Sequence, residues 1–127
     1  MAIAFARDPG LLARLATPLP EVKRNFAAYG LLDEQTVFVP GFFADTLSGL
    51  ETPVLAVLRL DADTEESTET ALTELYDRLS LGGFCIADDY HSFPDCRRAV
   101  DRFRTDRGIT EPIQQIDRHA VFWRRAG

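Results

Sequence analysis

The stretch Pro53-Val-Leu-Ala-Val-Leu-Arg-Leu-Asp-Ala-Asp63 and its counterpart Gly83-Phe-Cys-Ile-Ala-Asp-Asp-Tyr90 decide the fold. Each is a run of apolar residues that ends abruptly in carboxylates. Val54–Leu60 and Gly83–Ala87 are nearly continuous in apolar residues, which is the pattern of parallel strands covered on both faces. Between them, Glu65 to Leu79 carries apolar residues at helical spacing. Strand, helix and strand of this length make a right-handed crossover, so the two strands run parallel and their carboxyl ends leave the sheet at one edge. Asp61, Asp88 and Asp89 are therefore expected to converge.

Carboxylates gathered at the mouth of a low-dielectric sheet raise one another's pKa unless a cation neutralises them. A set of oxygen ligands suits a hard ion, Mg²⁺ first, with Mn²⁺ or Ca²⁺ as alternatives. Acids at strand ends also serve as solvated loop residues or helix caps. Asp63 is read as the cap, with Thr64, Glu65 and Glu66 placing negative charge at the positive end of the helix dipole.

At 127 residues the chain has room for one domain with a core. It is expected to divide into an amino-terminal arm, 1–20, and an α/β domain, 21–127. A net charge of −6 argues against a nucleic-acid backbone or an anionic membrane as partner. The two cysteines, Cys85 and Cys96, are widely spaced, and no secretory pattern precedes them. Both read as reduced thiols of a cytoplasmic protein, with Cys85 in the core. The apolar start, Met1–Arg7, is too short for a membrane span.

The flanking segments follow the same rules. Asp8–Leu15 is expected to form a short helix, which Thr17-Pro-Leu-Pro20 breaks. Glu21–Tyr29 is expected to be a helix burying Val22, Phe26 and Tyr29, with Gly30 in the left-handed position after its last turn. Thr36–Val39 reads as a short strand and Phe42–Leu50 as a short helix with Phe43 and Leu47 inward. Beyond the second acidic pair, His91–Pro94 is a loop and Asp95–Arg107 a helix presenting Ala99, Val100 and Phe103, closed by Gly108. Pro112–Ile116 and Ala120–Arg124 then form an antiparallel hairpin across Asp117-Arg118-His119. Parallel strands finished by an antiparallel pair are the ending of a class I methyltransferase, a Rossmann-like fold.

Leu58-Arg-Leu-Asp-Ala-Asp63, Glu66-Ser-Thr68, Gly82-Gly-Phe84 and Asp88-Asp-Tyr90 resemble the motif series of the macrocin and mycinamicin sugar O-methyltransferases, the TylF/MycF type. The resemblance extends over about residues 21 to 125, from Glu21-Val22 and Tyr29-Gly-Leu-Leu32 to Phe122-Trp-Arg124. It implies a Mg²⁺ ion held by Asp61, Asp88 and Asp89, binding vicinal hydroxyls of a sugar beside S-adenosylmethionine. It also implies what this chain does not show. Family members are about twice as long, and the glycine-rich turn and ribose-binding acid that grip S-adenosylmethionine belong to the amino-terminal half, which has no counterpart here. The aromatic usual before Glu-Ser-Thr is Glu65.

The expectation is therefore a truncated methyltransferase fold that binds Mg²⁺ (or Mn²⁺), with S-adenosylmethionine not held by this chain alone. Its function reads as Lewis-acid chemistry on a hydroxylated small molecule, whether cyclisation, isomerisation, hydration or elimination. Methyl transfer with a partner chain, or a non-catalytic binding remnant, are the alternatives. His91 is the first candidate proton carrier, with His119 and Tyr90 behind it. Each also has an ordinary role, as a solvated loop residue or, for Tyr90, in packing against Phe93. Arg59 is expected to pair with a neighbouring acid. A strand as apolar as Val54–Leu60 without its usual outer neighbour has an open edge, so a homodimer is expected.

Overall fold

The computed structural model describes residues 17–127; the expected helix Asp8–Leu15 lies outside them. The chain forms two compact units, one up to Thr46 and one from Leu47 to Gly127.

In the described part of the first unit, helix α1 (Leu19–Ala28) begins with Pro20 in its opening turn, where a missing N–H costs nothing. It ends at Gly30, whose φ of 68° is the left-handed conformation expected there. Val22 and Phe26 are half-buried, and Phe26 meets Phe38 edge-on with ring centroids 5.2 Å apart. Tyr29 corrects the expected inward face, being 82% exposed. Thr36–Val39 is not a strand of the sheet but a single bridge position at Phe38, and the expected helix Phe42–Leu50 is one turn, α2 (Phe43–Thr46).

The second unit is built on a four-stranded mixed sheet. Strand β1 (Leu55–Leu60) is followed by helix α3 (Glu65–Leu75), a 3-10 turn (Tyr76–Arg78) and strand β2 (Leu79–Ala87). Helix α4 (Pro94–Asp106) and the strands β3 (Gln114–Gln115) and β4 (Val121–Arg124) complete it. The sheet order is β1-β2-β4-β3, with β1 parallel to β2 and the last two pairings antiparallel. The crossover and the closing hairpin thus form as the apolar runs and the Asp117–His119 turn require.

Boundaries differ where the sequence pattern is continuous. Helix α3 ends four residues before Leu79, because Tyr76 to Arg78 tighten into the 3-10 turn. Strand β2 begins at Leu79 rather than Gly83. It reaches full pairing only after an irregularity, in which Leu55 lies opposite Leu79 and Val57 opposite Phe84.

Helices α3 and α4 bury their apolar stripes, Ala71, Leu72 and Leu75 with Cys96, Ala99, Val100 and Phe103. The sheet face turned into this core carries Leu58, Leu60, Cys85, Ala87, Val121 and Trp123. Tyr76 joins the two layers, its hydroxyl accepting from Trp123 Nε1 at 3.1 Å and its ring edge-on to Phe103. Among the described residues of this unit, helices cover one face of the sheet, where the sequence pattern predicts cover on both. On the other face Val57 is 51% and Phe84 39% exposed, flanked by the exposed arginines Arg59 and Arg124. Cys85 and Cys96 are both buried free thiols. No helix among the described residues is long and apolar enough to cross a membrane.

Candidate metal-binding site

Parallel pairing puts the ends of β1 and β2 level, Leu60 opposite Ala87, and the Asp88 amide extends the ladder by donating to the Leu60 carbonyl at 2.9 Å. The acids that follow each strand therefore leave the sheet side by side. The turn after β1 is fixed from below by Thr68, which is fully buried and whose hydroxyl donates to the carbonyls of Ala62 and Thr64 at 2.9 and 2.8 Å. With the turn held so, Thr64 rather than Asp63 caps α3, accepting from the Ser67 amide at 3.2 Å. Both residue types cap helices well. The extended backbone at Thr64 puts its hydroxyl over the first turn and frees Asp63.

Asp63 consequently joins the acid cluster. One carboxylate oxygen each from Asp61, Asp63 and Asp89 lie within 4.8 Å of one another. Of the three expected ligands, Asp61 and Asp89 meet in this cluster. Asp88 stands beside it, its Oδ1 accepting from Arg59 Nη2 at 2.7 Å, and the same nitrogen lies 3.3 Å from Asp61 Oδ2. Arg59 thus pairs with two acids.

The electrostatics are those of a site short of positive charge. The Asp89 carboxyl is pushed up to about 7, first by burial and then by the neighbouring charges of Asp63, Asp61 and Asp88. Its Oδ2 is buried with no hydrogen-bond partner among the described residues. The hydrogen bond from Arg59 to Asp88 holds the guanidinium even more firmly protonated than usual. Below the acids Cys96 stays a thiol, its pKa pushed up to about 11 by burial. An all-oxygen set with an unsatisfied buried carboxylate oxygen fits a hard divalent cation, with water or substrate oxygens filling the remaining positions.

The antiparallel sense of β4 delivers the Asp117–His119 turn to this same edge. Asp117 Oδ1 shapes the turn by accepting from the amides of His119 and Ala120 at 2.7 and 2.8 Å. The His91 amide donates to the His119 carbonyl at 2.9 Å, tying the loop after Asp89 to the hairpin. His119 is engaged at both ring nitrogens, Nδ1 with Ser92 Oγ at 2.6 Å and Nε2 with Arg118 Nε at 2.8 Å. Since Arg118 can only donate, Nε2 accepts and Nδ1 carries the proton toward Ser92. His91 is exposed, its ring edge-on to Tyr90. Tyr90 itself is buried, its hydroxyl donating to Asp101 Oδ1 at 2.6 Å and Arg97 lying over its ring. Burial, followed by the charge and hydrogen bond of Asp101, pushes the Tyr90 phenol above its ordinary pKa. Ser92 escaped the sequence reading because its partner is 27 residues away.

Residues 8–125 match the macrocin O-methyltransferase (TylF) family. This chain belongs to the TylF family. Its relatives include an 8-demethyl-8-(2,3-dimethoxy-alpha-L-rhamnosyl)-tetracenomycin-C 4'-O-methyltransferase of Streptomyces olivaceus, 54% identical over 87% of this chain and 42% of the relative. The mycinamicin III 3''-O-methyltransferase of Micromonospora griseorubida is 50% identical over 88% of this chain and 44% of the relative. Among solved structures, the O-methyltransferase NovP superposes on 98% of this chain with a TM-score of 0.88 and 45% identity. The chain spans about half the length of the relatives it matches, 53% in the case of NovP. The α/β architecture is thus that of the TylF-family methyltransferases, over the part of their fold that this chain represents.

Proposed function

We propose that this chain forms the divalent-cation half of a small-molecule O-methyltransferase site, acting on a hydroxyl group of a natural-product substrate. The supporting observation is the acid cluster, in which Asp89 keeps a buried oxygen unpartnered among the described residues and a carboxyl pushed up to about 7 beside Asp61 and Asp63. Carboxylates so placed are relieved by a cation. When bound, Mg²⁺ would supply Lewis-acid chemistry, making a substrate hydroxyl more acidic and fixing its direction. By the family resemblance Asp61, Asp88 and Asp89 are the residues to hold it; Asp61 and Asp89 meet in the cluster with Asp63, and Asp88 is turned to Arg59. Thr68 keeps the Asp61–Thr64 turn rigid, and His91, exposed in the loop after the acids, is the group to accept the substrate proton.

The named activities of the relatives supply the substrate class. The Streptomyces and Micromonospora proteins are by name O-methyltransferases of a rhamnosylated tetracenomycin and of mycinamicin III, so a hydroxylated glycoside is the substrate proposed here. A second reading keeps the same ion but not the methyl donor, and performs isomerisation, elimination, hydration or cyclisation. It rests on the acid cluster alone, since an ion held there acidifies a substrate hydroxyl without a methyl donor.

Calorimetric titration separates the readings. Mn²⁺ binding by the wild type, lost in Asp61→Asn, is expected under both, and its absence from the wild type overturns both. S-adenosylmethionine binding at micromolar levels excludes the second reading. Once a substrate turns over, a fall in kcat in His91→Gln that far exceeds any change in Mn²⁺ affinity supports the proton-acceptor role; an unchanged kcat removes His91 from it.

A further inference from the structure

Arg59 gives the acid cluster a cation of its own. It interrupts an otherwise apolar strand, Leu55-Ala-Val-Leu-Arg-Leu60, and its alternation places it on the exposed face of the sheet. Its guanidinium nevertheless turns back to the sheet edge, with Nη2 2.7 Å from Asp88 Oδ1 and 3.3 Å from Asp61 Oδ2. Those are two of the three carboxylates assigned to the ion, and the role inferred for Arg59 rests on that assignment.

A guanidinium and a divalent ion satisfy the same carboxylates in incompatible ways. The guanidinium occupies Asp88 Oδ1 and lies against Asp61 Oδ2, whereas Mg²⁺ requires its oxygen ligands at about 2.1 Å. Two cations a few ångströms apart also repel each other. Arg59 can turn into solvent, because its side chain is 55% exposed. Asp89, which Arg59 does not bridge, keeps a buried Oδ2 with no hydrogen-bond partner among the described residues.

We propose that Arg59 and the divalent ion are alternative partners of Asp61 and Asp88. In the metal-free protein the guanidinium bridges the two acids and keeps the ends of β1 and β2 together despite their like charges. When the ion binds, the guanidinium swings out over the exposed sheet face. Arg59 is then a positioning residue that sets the threshold for metal loading, not a ligand.

The test is Mn²⁺ titration, read from the paramagnetic resonance signal of the free ion, on wild type, Arg59→Gln and Arg59→Lys, with thermal melts of each in EDTA. Arg59→Gln is expected to bind Mn²⁺ about tenfold more tightly, the effect of removing a unit charge a few ångströms from a dication in an exposed site. Its melting temperature in EDTA is expected to fall. A purely structural role for Arg59 would move both in the unfavourable direction. Arg59→Lys keeps the charge but loses the planar fork that spans two carboxylates, so it is expected to fall between the other two, and it carries the test if the glutamine variant does not fold. Equal or weaker Mn²⁺ binding by the variants overturns the proposal, since Arg59 would then orient the ligands instead of competing for them. Binding by Arg59→Gln but not by wild type supports it. No binding by wild type or variants overturns the metal reading and this proposal with it.

Discussion

Asp89 makes a quantitative demand on how stability depends on pH. Its carboxyl titrates near 7 in the folded protein and near ~3.9 when unfolded. Because the folded pKa is the higher one, the folded state keeps a proton that the unfolded chain gives up. The stabilisation is complete below pH ~4 and is lost as pH rises through about 7. A separation of about three pH units corresponds to an upper bound of ~4 kcal/mol, and screening at this partly open edge brings it to roughly 2–4 kcal/mol. The carboxyls of Asp77, Glu65, Glu111 and Asp117 are all depressed, so their titration is over before this window opens. The assay is urea unfolding in EDTA at pH 5 and pH 8 for wild type and Asp89→Asn. Between pH 5 and pH 8, about two of the three pH units, the wild type should lose roughly 1–3 kcal/mol relative to the variant, and saturating Mg²⁺ should restore it by favouring the ionised carboxylate. Equal pH dependence in both proteins would refute this account, since the charge crowding would then not reside at Asp89.

Other outcomes are equally specific. Mg²⁺ should raise the melting temperature of the wild type, and alanine at Asp88 or Asp89 should abolish the rise; a rise that persists in the double variant places the ion elsewhere. Leu72→Ala, at a fully buried position between the helices and the sheet, should cost about 2–5 kcal/mol in chemical denaturation. Gly83→Ala should cost ~2 kcal/mol or more, because its Cβ would come within 2.9 Å of the backbone oxygens of Ala56 and Ser80; unchanged stability would mean that the strand pair moves apart freely. We also expect a homodimer, since β1 is an edge strand and Val57 and Phe84 are exposed beside it, and light scattering after size-exclusion chromatography at micromolar concentration should give twice the 14.2 kDa chain mass.

The parts of this fold readable in the sequence are those where one residue type has one physical use. Two apolar runs ending in acids made a parallel pair with a shared edge, Pro94 and Gly108 bracketed α4, and Asp117 announced the hairpin turn. The parts not readable are those where several structures satisfy the same pattern. Leu72, Leu75, Tyr76 and Leu79 continue an apolar rhythm through helix, 3-10 turn and strand, so the boundary left no mark. Val57 and Phe84 are as apolar as core residues, and a one-sided sheet looks the same in sequence as one covered on both sides. Asp63 and Thr64 are both good caps, and only the backbone conformation between them decides which one faces the acid cluster. The Ser92–His119 contact depends on the hairpin folding back, which no local signal foretells.

The irregular pairing in β2 bears on how this protein can be labelled. Between Leu55 and Val57 on one strand, the other runs from Leu79 to Phe84, so Ser80 to Gly83 stand opposite the single Ala56 and their surplus is absorbed at the far end of the strand from the acids. From Val57 and Phe84 onward the ladder is regular through Leu60 and Ala87. Leu81, 69% exposed, sits in that surplus. A cysteine placed there could carry a fluorophore or spin label whose attachment strains only a segment already out of step, leaving the level at which Asp61 and Asp88 emerge untouched.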